Sequence, residues 1–158
     1  METKKYITFL MAIFSIISLG FISCNDDDDD EQTAKPVVTL TEVGHSNSKH
    51  THPGHDLHLE ASILADGTIK RIDVEIHQKG GANKIVETAY TEGKYIGVKN
   101  AEFHEHLDIP ADAVLGEYHL HFTVTDNEGQ QTTAECSIEV IEDDDEEEDE
   151  HEHNHQHE

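Results

Sequence analysis

From Pro36 to Ile141 the apolar side chains fall at every second residue. That period admits strands and almost nothing else. Leu57, Leu59, Ala61 and Ile63 alternate with His58, Glu60 and Ser62. Ile72, Val74 and Ile76 alternate with Asp73, Glu75 and His77. Tyr118, Leu120, Phe122 and Val124 make the cleanest run, and Ala134, Cys136, Ile138 and Val140 close the set. Val38 and Leu40 mark a first strand over 37–43, while 85–90 and 94–98 are weaker candidates. Phe103, Leu107 and Ile109 share a parity, with Glu105 the odd polar member, and Pro110 stops that strand. Asp66-Gly67 and Asp126-Asn127-Glu128-Gly129 read as turns. The pattern predicts an all-β domain of about seven short strands.

Strands this short and evenly spaced, without a convincing helix, point to an immunoglobulin-like antiparallel β-sandwich. Gly116-Glu117-Tyr118 resembles a tyrosine corner entering the sixth strand. The stretch from Phe103 through Leu107-Asp108-Ile109-Pro110, Gly116-x-Tyr118 and Val124-Thr125-Asp126-x-x-Gly129 resembles the second half of bacterial immunoglobulin-like repeats. It is also similar to the domain-of-unknown-function family 4625, over about 36–141. The resemblance implies a fold and no activity.

The ends of the chain are of another kind. Lys4 and Lys5 precede an almost wholly apolar run over 6–22, the layout of a secretory signal. Phe21-Ile22-Ser23-Cys24 resembles a bacterial lipobox, which implies a signal peptide over 1–23 and lipid on Cys24. Asn25 and Asp26–Asp30 resemble the acidic export signal of surface lipoproteins of the Bacteroidetes type. An outer-membrane anchor is expected, with surface exposure or the periplasmic leaflet as its two outcomes. Residues 24–35 form an acidic tether, 36–141 the sandwich, and 142–158 a disordered tail. With Cys24 acylated, Cys136 is left without a disulfide partner and should point inward.

Charge narrows the partners. The chain has 10 Lys+Arg against 35 Asp+Glu, a formal −25. Nucleic acid and anionic membrane surfaces would be repelled, whereas cations would be drawn in. The 14 histidines give that attraction a chemistry. Four of them, His151, His153, His155 and His157, alternate with acids and amides in the tail, as a low-affinity cation collector would. The other ten are His45, His50, His52, His55, His58, His77, His104, His106, His119 and His121. In an immunoglobulin-like strand order, all ten fall towards one pole of the sandwich.

Local spacing sharpens this. His104-x-His106 and His119-x-His121 each set two imidazoles on one strand face, about 6.6 Å apart. His58, on a strand expected to pair with that of His104 and His106, completes a three-histidine set. His52 and His55 stand in the preceding loop. Three neutral nitrogens and an open position suit zinc, and imidazole suits copper and nickel as well. Asp56 or Asp108 would orient a ligand ring. The outward faces of the two histidine pairs belong to opposite sheets, so one site and two sites are both open.

The expected role is capture or buffering of a divalent metal at the envelope, with a transporter as the class of protein that would receive it. Catalysis is not expected: an open zinc could activate water, but no Ser/His/Asp or Cys/His arrangement is legible. A surface adhesion or glycan-capture module with incidental histidines is the competing reading. The lack of Trp weighs against it.

Overall fold

The computed structural model describes residues 34–143. The expected signal peptide, Cys24, most of the tether, and the four tail histidines lie outside the described residues. The elements are β1 (Val37–Val43), a 3-10 turn (His45–Asn47), β2 (His50–Thr51), β3 (Asp56–Leu64), β4 (Ile69–Gln78), β5 (Lys84–Tyr90), β6 (Asn100–Asp108), β7 (Gly116–Asp126) and β8 (Gln131–Val140). They form two sheets, β1-β3-β6 and β2-β8-β7-β4-β5. All pairings are antiparallel except the short β2–β8 contact. The fold is the expected β-sandwich, with eight strands rather than about seven.

The alternation explains the packing. Leu57, Leu59, Ala61 and Ile63 of β3 are buried, as are Tyr118, Leu120, Phe122 and Val124 of β7, and all join one core. Phe103 of β6 sits at its centre, edge-on to Phe122 with ring centroids 4.9 Å apart. The Tyr118 hydroxyl donates to the Val114 carbonyl at 2.7 Å, which is the tyrosine corner expected from Gly116-Glu117-Tyr118.

Three local features depart from the expectation. Residues 94–98 are not a strand. Gly93 and Gly97 take positive φ and fold the segment back, so that Tyr95 plugs the core edge. The Tyr95 hydroxyl donates towards the Glu105 carboxylate at 2.6 Å and accepts the His104 N–H at 3.0 Å. That accounts for Glu105 at an inward position: the hydroxyl contact holds its carboxyl below the usual range. Second, β2 was not expected, because two residues carry no period. Third, Cys136 packs against the core but is only half-buried. Burial still pushes its thiol up.

A bulge in β1 redirects one acidic side chain. Leu40 opposes Ala61, but Glu42 opposes Glu60, so one extra residue is inserted between them. The slip turns Val43 into the core and Glu42 outwards, beside β3.

Candidate metal centre

Three imidazoles meet on the outer face of the three-stranded sheet. Register sets them there: His58 of β3 lies opposite His106 of β6, and Glu60 opposite His104. The rings of His58 and His104 are 4.8 Å apart, and those of His58 and His106 lie parallel at 5.0 Å. One ligand atom from each of the three falls within 4.8 Å of the others. Zinc bonds of about 2.05 Å place tetrahedral donors about 3.3 Å apart, so modest side-chain rotations would close the set on one ion.

The electrostatics favour a cation. Glu60 Oε1 lies 3.3 Å from both His58 Nε2 and His104 Nδ1. Glu42, brought round by the bulge, lies 3.4 Å from His58 Nδ1. Asp56 accepts a hydrogen bond from His106 Nδ1, which holds its carboxyl below the ordinary range and leaves His106 Nε2 for a ligand. A carboxylate behind a ligand imidazole in this way fixes the ring and raises its basicity. Of the two aspartates expected near a ligand ring, Asp56 makes this contact and Asp108 is its register partner.

His58 is the inner member. Its side chain is 18% exposed, against 56% and 59% for His104 and His106. Its Nε2 is buried and makes no hydrogen bond among the described residues; the Glu60 contact does not have hydrogen-bond geometry. A buried polar nitrogen without a partner is costly. An ion held by the three rings would remove that cost.

The other expected residues fall elsewhere. His52 and His55 stay in the loop, with ring centroids 5.6 Å apart. His52 Nδ1 meets the Glu142 carbonyl at 2.9 Å, and His55 Nε2 meets Asp143 at 2.7 Å. His119 and His121 lie on the other sheet, where His77 of β4 joins them. His77 falls at the histidine-rich pole, as its place in the strand order implies, but is outside the expected ligand set. The pairing of β4 with β7 was the signal that would have included it. Glu42 and Glu60 were missed too. Glu60 was legible as an outward neighbour of His58, whereas Glu42 depends on the bulge.

Known proteins add little about activity. No curated protein sequence matches the chain. Among solved structures, the sporulation control protein Spo0M from Bacillus subtilis is similar at 13% identity and a TM-score of 0.44. The match covers 70% of this chain and 50% of that one. The chain thus spans about half the length of that relative. Residues 22–141 match the family model described as Domain of unknown function (DUF4625), a range that starts ahead of Cys24 and ends after the last strand, and the chain belongs to that family.

Proposed function

We propose that this is a lipid-anchored envelope protein that binds a divalent transition metal through His58, His104 and His106. Zinc is the first candidate, with copper and nickel as alternatives of the same donor preference. The observation that carries the reading is the cluster of His58, His104 and His106, with one ligand atom of each within 4.8 Å of the others and the buried Nε2 of His58 making no hydrogen bond among the described residues. The role is binding, whether capture or buffering, and not catalysis. The tail would collect ions at low affinity. The described chain ends at Asp143 beside His52 and His55, so it leaves the sandwich at the histidine-rich pole.

Metal analysis of protein isolated without a nickel column tests this. Zinc or copper at one or more per chain is expected; metal-free protein that also takes up none on dialysis would refute it.

The anchor has its own test. The thiol of Cys24 would be the acyl acceptor, so Cys24→Ala should abolish labelling by palmitate and leave the precursor unprocessed. Label retained on the Cys24→Ala protein would remove the lipoprotein assignment.

A further inference from the structure

The outer face of the five-stranded sheet repeats the arrangement found on the three-stranded one. On the three-stranded sheet a His–His pair, His58 with His106, lies nearer the pole, and a Glu–His pair, Glu60 with His104, lies one row inward. Between β4 and β7 the register gives His77 opposite His119 nearer the same pole, and Glu75 opposite His121 one row inward. Two unrelated strand pairs thus carry the same four residues in the same two rows.

The hydrogen count is more telling. His77 Nδ1 lies 3.2 Å from the Gln78 carbonyl, which can only accept, so the contact is a hydrogen bond in the Nδ1–H tautomer. His121 Nδ1 lies 3.0 Å from the Glu135 carboxylate, which its Nδ1–H tautomer would satisfy in the same way. A neutral imidazole has a single N–H, so in the tautomers that satisfy both of these contacts each Nε2 is a lone pair. They face each other at 3.0 Å, with the ring planes 10° apart. Three contacts need three hydrogens, and two neutral rings supply two. A cation held between the two Nε2 atoms would satisfy the contact that these tautomers leave unmade.

We propose that His77 and His121 form a second transition-metal site, with the ion bound by both Nε2 atoms. The separation of 3.0 Å is within a few tenths of an ångström of the about 3.3 Å edge of a zinc tetrahedron. A rotation of each ring swings its lone pair out of line and into the open groove lined by Asp73, Glu75, Thr123 and Glu135. Glu135 orients His121 from behind, as Asp56 does for His106. The His119 ring stands nearby, its centroid 5.6 Å from that of His77 and 6.4 Å from that of His121, so the two Nε2 atoms are the ligands proposed. Asp73 and Glu75 are engaged by Arg71 and Lys84, so they shape the groove and leave ligation to the rings. The choice of a metal rather than a proton as the missing cation leans on the reading of the first site. The site itself does not require the first to be filled.

The test uses protein labelled with 15N in its histidine rings and carrying His104→Ala and His106→Ala, which removes the first site. Zinc chloride is added at neutral pH. The Nε2 resonances of His77 and His121 should both move to metal-bound positions within the first equivalents. His121→Gln should weaken this binding by tenfold or more, with the backbone amide spectrum unchanged. Ring resonances of His77 and His121 that ignore zinc, and change only with pH, would mean that a shared proton fills the gap and would overturn the proposal. The same titration with His104 and His106 intact reports on the first site separately, through their own resonances.

Discussion

Phe103→Ala is expected to lower the unfolding free energy by about 3–5 kcal/mol, the range for deleting a fully buried phenyl ring. The side chain is 1% exposed and lies against three other rings. Its centroid is 4.8 Å from Tyr95, 5.2 Å from Tyr90 and 4.9 Å from Phe122. Ala61, its register partner across the β3–β6 pair, is too small to fill the space. Phe103 is also next to His104, on the opposite side of the same strand. The substitution therefore loosens the strand that presents two of the proposed ligands while removing none of them. Urea unfolding of the variant checks the magnitude. A loss below about 1 kcal/mol would mean that the aromatic cluster is not the centre of the core.

The strands were legible wherever the two faces of a strand differ in chemistry. On β7, Tyr118, Leu120, Phe122 and Val124 alternate with His119, His121, Thr123 and Thr125, and the period could not be missed. On β5, at the edge of its sheet, only Val86 is fully buried, so the sequence carries a weak signal there. The segment 94–98 looked like a strand because Tyr95, Ile96 and Val98 favour extension, yet the positive φ of Gly93 and Gly97 overrides that preference. The meeting of His58, His104 and His106 was legible once β3 was expected to pair with β6. The arrival of Glu42 was not, because nothing in Leu40-Thr41-Glu42 marks an extra residue in the ladder. The diagonal contact of His77 with His121 is a side-chain matter, which register alone cannot resolve.

In the proposed function, the outer face of β3 and β6 binds a transition metal. A ligand that binds only the folded state stabilises it by RT ln(1 + [L]/Kd), about 2.7 kcal/mol at a hundredfold excess over Kd. The measurement is the unfolding free energy of residues 32–143 with and without zinc. Leaving out the tail removes its four histidines, and His121→Gln silences the opposite face. Into this background go His104→Ala and His106→Ala. Both side chains are more than half exposed, so their loss should change the metal-free stability little. Zinc should add about 2.7 kcal/mol to the parent at that excess and almost nothing to the doubly changed chain. The gain should fade at acidic pH, because imidazoles must be deprotonated to bind. It should also recover part of the stability lost in Phe103→Ala. A zinc effect that survives the loss of both histidines, or one that appears only when residues 144–158 are restored, would contradict the account and move the metal chemistry off the sandwich.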